Sequence, residues 1–130
     1  MRLEQGDFSD DCGACALATW ASVKYDTAHE ALWPGVKPRE DRGHGHGTDT
    51  AQLRAGIRRL GLGEWAWTRA ADWRAVPNGS IVEVLILDNG KEMPHWCVKS
   101  RTGLLLCAYS PSLRKLPPNY HVKGYLEEVT

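Results

Sequence analysis

Two residues far apart in the sequence have the types and positions that cysteine-based hydrolysis requires. Cys12 follows an acidic run and opens a segment of helical pattern. A thiol at a helix N-terminus feels the positive end of the helix dipole, which favours the nucleophilic thiolate. His95 stands at a predicted strand start between Pro94 and Trp96, where a side chain can act as a general base. Each residue taken alone also fits a structural role, since cysteine packs as a small hydrophobe.

The remaining candidates for chemistry are three cysteines and two histidines: Cys15, Cys97, Cys107, His44 and His46. The cysteines lie among alanines or on predicted strands, so we expect core positions for them and reduced thiols. Cys12 and Cys15 have zinc-ligand spacing, but a structural zinc site needs a second close pair, which the sequence lacks. The histidines alternate with glycines in a predicted loop. We therefore expect no metal and no cofactor.

Three segments in the first half of the chain predict the helices that would carry Cys12. Residues 12–25 have apolar side chains at helical spacing. Thr27 with Glu30 three residues later is typical of a capping box for a short second helix. Thr48 is predicted to cap a third helix, which Gly61 ends.

The second half predicts the antiparallel strands that would carry His95. Alternating or apolar runs are separated by turn residues and lie at 65–67, 81–87, 96–98 and 104–109, with a short helical turn at 72–76. Residues 120–125 are predicted to add an edge strand. Helices followed by a sheet favour an α+β class in a single domain over 1–130, with a helical part at about 9–62 and a sheet part at about 64–126.

Composition limits the partners of this domain. The chain has 130 residues, 16 Lys plus Arg and 16 Asp plus Glu, so its formal charge gives no footprint for nucleic acid. Arg54, Arg58 and Arg59 are interpreted as the solvated side of an amphipathic helix. No run of residues approaches the length of a membrane span, and no secretory signal is recognisable at the N-terminus. We expect a soluble, cytoplasmic protein without nucleic-acid partners, and the sequence leaves its oligomeric state open.

Three segments of the chain, within residues 5–111, resemble one known family. Residues 5–18, with Asp11-Cys12-Gly13-Ala14-Cys15, resemble the N-terminal signature of the papain-like cysteine peptidase domains of bacteriocin-processing ABC transporters. Those domains cut leader peptides after a double glycine. Residues 47–62 resemble the second segment of that family, and Pro94-His95-Trp96-Cys97-Val98 resembles its histidine strand. The resemblance implies a papain-like fold, with N-terminal helices packed on a twisted antiparallel sheet, here as a stand-alone domain.

The resemblance also implies a role for each matching residue. Cys12 would be the nucleophile, His95 the general base, and Gln5 a side-chain donor to the oxyanion. Trp96 would line the substrate groove, although a strand tryptophan also serves as a packing residue. Gln5 lies seven residues before Cys12, one more than the family spacing, and Ser110 stands where the family has the acidic group that orients the histidine. Asp88 and Asp41, on other predicted loops, are the alternative carboxylates for that orienting role.

These residues leave three functional classes open. The first is a cysteine peptidase that hydrolyses a peptide bond of a peptide or protein substrate, after small residues such as Gly-Gly. The second is a related thiol amidase or isopeptidase. The third is a peptidase-like binding module that kept the groove while catalysis weakened, which the serine at position 110 favours.

Overall fold

The computed structural model of the chain describes residues 12–35, 48–107 and 110–129, and in this part helices precede strands. The helices are α1 (Cys12–Ala21), α2 (Tyr25–Leu32) and α3 (Thr50–Arg59). The strands are β1 (Trp65–Arg69), β2 (Ser80–Asp88), β3 (Lys91–Lys99), β4 (Leu105–Cys107), β5 (Ser110–Leu113) and β6 (Tyr120–Glu128). The chain therefore mixes helices with an antiparallel sheet, as the α+β prediction requires.

The described strands form one antiparallel sheet in the order β1-β6-β2-β3-β4-β5. β2 and β3 make a hairpin whose turn residues Asn89 and Gly90 both have positive φ. An Asn-Gly pair in that conformation matches the twist of the flanking strands, so this predicted turn is confirmed. The predicted edge position of the last strand is wrong, because β6 inserts between β1 and β2 and pairs with both.

Two of the predicted helix starts are also wrong in detail. Asp49, rather than Thr48, is the N-cap of α3: its carboxylate accepts from the Gln52 amide, and the Gln52 side chain accepts from the Asp49 amide. α2 begins two residues before Thr27, and its N-cap is Lys24, whose side chain makes no capping hydrogen bond. For α3 the error arises because Thr48 and Asp49 can each cap a helix, whereas α2 begins without a side-chain cap, so no capping residue marks its start.

The helices cover one face of the sheet. α1 packs on β3, and α2 and α3 pack on α1 and on each other. Their buried side chains share one core with alternate residues of the strands: Leu17, Ala28, Leu32, Leu53, Ile57, Ile81, Trp96, Val98 and Leu126. Because strand residues alternate between faces, the neighbours of these strand residues point to the other side.

A second core lies on the face of the sheet that points away from the helices. It contains Val76, Val82, Val84, Ile86, Cys97 and Leu105, with Trp73, Leu116 and Tyr120 packed against it. The segment around the 3-10 turn Trp73–Ala75 and the segment before β6 thus cover this face. Lys99 is buried beside this layer, and its ammonium donates to the carbonyls of Trp73 and Val76 at 2.7 and 2.8 Å.

A glycine in the first turn of α1 sets how close this helix comes to the start of α3. A Cβ atom on Gly13 would overlap the Cβ and Oγ1 atoms of Thr48. Those atoms are next to the backbone of a buried residue, so they cannot swing aside as the end of a long side chain would. The approach of α1 to Thr48 therefore requires glycine at position 13.

We expect Gly13→Ala to lower the free energy of unfolding by about 1–2 kcal/mol in urea titrations. Overpacking costs roughly 1–3 kcal/mol, which outweighs the gain of at most about 1 kcal/mol from replacing a helical glycine by alanine. Thr48→Gly in the same chain should remove most of the penalty in a double-mutant cycle. A Gly13→Ala protein as stable as the parent would contradict the close approach.

Candidate active site

Cys12 is the first residue of α1 and opens onto a cleft beside the sheet. The cleft has a volume of about 330 Å³ and is lined by Cys12, Thr48, Asp49, Thr50, Glu83, Pro94 and Trp96, and we call it the Cys12 cleft. Only 6% of Cys12 is exposed. Its sulfur lies at the positive end of the helix dipole, where a negative charge is stabilised. The cleft thus combines a thiol with polar and aromatic walls.

Trp96 forms one wall of the Cys12 cleft and ties the sheet to the helical layer. Its indole nitrogen donates to the carbonyl of Thr48 at 2.6 Å. The described part of β4 pairs with β3 only at Val98 and Lys99, so Pro94 and Trp96 lie beyond it. Pro94 has no backbone N–H to donate to a neighbouring strand, so it suits a part of β3 with which the described part of β4 does not pair. Trp96 therefore lines the same cleft as Cys12, and it is also a packing residue.

His95 lies on the opposite face of the sheet from the Cys12 cleft. It pairs with Val84, which belongs to the second core, and its ring meets Tyr120 edge to face at 6.4 Å between centroids. His95 is the fifth residue of β3, so the prediction that it opens a strand is wrong. Its exposed fraction is 1%, and burial lowers its pKa from 6.5 to about 4. Desolvation keeps the imidazole neutral at neutral pH.

The structure thus brings Cys12 together with Trp96, whereas His95 is not among the described residues that line their cleft. Gln5 and Asp41 lie outside the described residues. Ser110 begins β5, where its backbone pairs with Cys107. Asp88 is exposed and lies four positions along β2 from the partner of His95, which is about 13 Å of strand. It is therefore too distant to orient the ring.

Sequence reasoning missed five residues that line the Cys12 cleft: Thr48 and Pro94 as wall residues, Asp49, Thr50 and Glu83. For Glu83 a signal was present. It is the only charged residue in the run Ile81–Leu87, whose other side chains are all aliphatic. A lone carboxylate in a central strand costs desolvation energy unless it faces water or a partner, so it marks a place where the face of the sheet opens. Asp49 and Thr50 could be recognised from the sequence as the start of α3. Their proximity to Cys12 could not, because it depends on how α3 packs against α1.

A larger cleft of about 540 Å³ lies between α2 and α3 and has a different character. It is lined by Asp26, Glu30 and Arg59 together with small and apolar residues, and the Arg59 guanidinium donates to the Ala31 carbonyl at 2.6 Å. Carboxylates and a guanidinium therefore share its walls. No cysteine, serine or histidine is among its described lining residues, so this cleft has neither a thiol nor an imidazole among them.

Neither similarity to known proteins nor a cluster of metal-binding side chains assigns a function to the chain. No family model, curated protein or solved structure matches the chain. Within the described ranges, no three His, Cys, Asp or Glu side chains come together as a metal site would require. His44 and His46 lie outside those ranges. Among the helices of the described residues, none has the length and apolar character to cross a membrane.

The burial of His95 predicts that acid destabilises the fold. Between pH 6.5 and about 4 the unfolded chain binds a proton at this residue and the folded chain does not, so stability falls as the pH drops through that range. The loss amounts to about 3 kcal/mol at and below pH 4. Urea titrations from pH 7 to 4 measure it.

Replacing the histidine tests whether it carries that pH dependence. We expect His95→Leu to flatten the fall in unfolding free energy between pH 6.5 and 4, whereas His121→Gln, which changes an exposed histidine of β6, should not alter it. An unchanged slope in His95→Leu would show that other groups cause the acid sensitivity.

Proposed function

We propose that the chain is a papain-like domain whose Cys12 cleft binds a peptide, and that binding rather than efficient hydrolysis is its main activity. The observation that carries this proposal is the composition of the cleft. Cys12 at a helix start, the aromatic Trp96 and the polar residues Thr48 and Thr50 line one open space of about 330 Å³. Ligand clefts in this size range combine apolar walls with a few polar groups. The resemblance of residues 5–18 and 94–98 to the double-glycine peptidases supports a peptide as the ligand class.

The position of His95 supports binding over turnover. Hydrolysis by a thiol needs a base within hydrogen-bond reach of the sulfur, and an imidazolium stabilises the thiolate that forms. His95 instead packs with Val84 and Tyr120 on the other face, where burial keeps its pKa at about 4. A neutral imidazole in that layer does not stabilise a thiolate in the cleft.

The second candidate is hydrolysis at Cys12, as a cysteine peptidase acting after small residues or as a related amidase. The observation that favours it is the placement of the thiol at the first residue of α1, inside the cleft. In this reaction the thiolate attacks the carbonyl carbon of the substrate, and the amine leaves with a proton from the base. Water then hydrolyses the thioester and restores the thiol. A base on the cleft side of the sheet is the requirement that separates this candidate from the first.

The rate at which iodoacetamide alkylates Cys12 between pH 4 and 10 distinguishes the two candidates. Peptide mass spectrometry reports Cys12 separately from the buried thiols Cys15 and Cys97. We expect the same pH profile for the parent protein and for His95→Gln, because the two residues lie on opposite faces. His121→Gln serves as the matched control.

A profile that moves to higher pH by one unit or more in His95→Gln, but not in the control, would overturn the binding proposal. It would show that the imidazole stabilises the thiolate, and the hydrolase would become the better assignment. In that case Cys12→Ala should abolish hydrolysis in a peptide-library screen without unfolding the protein.

Filling the Cys12 cleft tests whether it is where a peptide binds. Thr50 lines the cleft at the first turn of α3, and the next residue, Ala51, is exposed and is not among the lining residues. We expect Thr50→Trp to weaken the binding of labelled peptide pools at least tenfold in fluorescence anisotropy, because the indole occupies the space of the ligand. Ala51→Trp should bind as the parent does. Equal binding by both variants would place the peptide elsewhere.

A further inference from the structure

Glu83 is a half-buried carboxylate on the cleft side of a central strand. It lies in β2 directly between Trp96 of β3 and Gly124 of β6 in the sheet register. Its neighbours Val82 and Val84 point to the second core on the other face. The β2–β6 pairing shifts register between Glu83 and Val84, and such irregularities increase local twist and redirect side chains. Glu83 is thus directed into the Cys12 cleft by the strand that carries it.

An indole from the edge strand holds the carboxylate in place. Trp67 of β1 donates from its ring nitrogen to Oε1 of Glu83 at 3.1 Å. The ring reaches across β6 because Gly124 leaves room for it: a Cβ atom at Gly124 would overlap the Trp67 ring and come within 2.6 Å of the Thr68 carbonyl oxygen. Trp67 remains 39% exposed. Part of the Trp67 side chain therefore stays exposed to solvent.

The charge of Glu83 has no counterpart within the described part of the chain. Its only side-chain hydrogen bond there is the one from Trp67, and it forms no salt bridge with a described residue. No lysine or arginine is among the described residues that line the cleft. The other carboxylate of the cleft, Asp49, is used to cap α3 through the Gln52 amide at 2.8 Å. Oε2 of Glu83 thus remains available to a ligand.

We propose that Glu83 sets the specificity of the Cys12 cleft by accepting a cationic side chain, lysine or arginine, of the bound peptide. A half-buried carboxylate gains most from a partner that brings both a positive charge and N–H donors. The partly exposed Trp67 indole that holds the carboxylate favours the same kind of group, since ammonium and guanidinium ions bind to the faces of indoles. This inference rests on the proposed function, because it names which peptides the cleft selects.

Four labelled octapeptide pools test the inference by fluorescence anisotropy. Each pool is randomised at every position but one, which is lysine, arginine, glutamine or glutamate. We expect the parent protein to bind the lysine and arginine pools about tenfold more tightly than the glutamine pool, as a charge-assisted hydrogen bond would give. The glutamate pool should bind most weakly. The preference should shrink as salt is raised, because a partly exposed ion pair is screened.

The variant Glu83→Gln keeps the size of the side chain and an oxygen that can accept from Trp67. We expect its affinities for the lysine, arginine and glutamine pools to become equal. The matched control is Glu92→Gln, which removes an equal charge from an exposed position of β3 outside the lining residues. It should retain the preference.

The outcomes separate this inference from the function on which it rests. If the parent binds the pools without regard to charge, or if Glu83→Gln keeps the preference, the inference is wrong while peptide binding stands. If no pool binds the parent at all, the peptide-binding proposal fails, and the specificity assigned to Glu83 fails with it.

Discussion

The hydrogen bond from the Trp96 indole to the Thr48 carbonyl is the contact on which the rest of the site depends. At 2.6 Å it fixes the segment before α3 to β3, and the same Thr48 packs on Gly13 in the first turn of α1. Three parts of the chain thus meet at one residue. Thr48 is buried, and it contacts β3 through the Trp96 indole and α1 through Gly13. The space left around the meeting point is the cleft onto which Cys12 opens.

The alternation of side chains along β3 then decides which residues of this strand line the cleft. Trp96 and His95 are neighbours in the sequence, so a strand must send them to opposite faces. Once the Trp96 indole is anchored to Thr48, His95 is directed into the layer with Val84 and Tyr120. A register shift of one residue would exchange the two, but it would also turn Cys97 toward the helices and Val98 away from them. Both cores are built around the observed register, which resists such an exchange.

Local patterns in the sequence predicted the elements better than they predicted the assembly. The helix at Cys12, the Asn89-Gly90 hairpin and the end of α3 just before Gly61 depend on nearby residues, and the structure has all three. The predicted extent of the first helix to residue 25 is wrong, because α1 ends at Ala21 and Tyr25 already opens α2. The place of β6 between β1 and β2 depends on pairings between residues 34 to 63 positions apart, which no local pattern carries. The composition of the cleft also depends on contacts between distant segments. Cys12 and Trp96 were singled out by residue type, but which face each occupies follows from register, and register is set by contacts between distant segments.

Glu83 and His95 show how the two faces of one sheet give two polar residues different roles. They lie on adjacent strands, one position apart in the register, yet one faces the cleft and the other an apolar layer. In the apolar layer burial disfavours the charged imidazolium, so the pKa of His95 is lowered to about 4 and the ring stays neutral. On the cleft side a half-buried carboxylate is held by the Trp67 indole and remains near water. Among the described residues that line the cleft, the charged side chains are the carboxylates of Glu83 and Asp49, which suits the recognition of a cationic ligand better than the activation of a thiol.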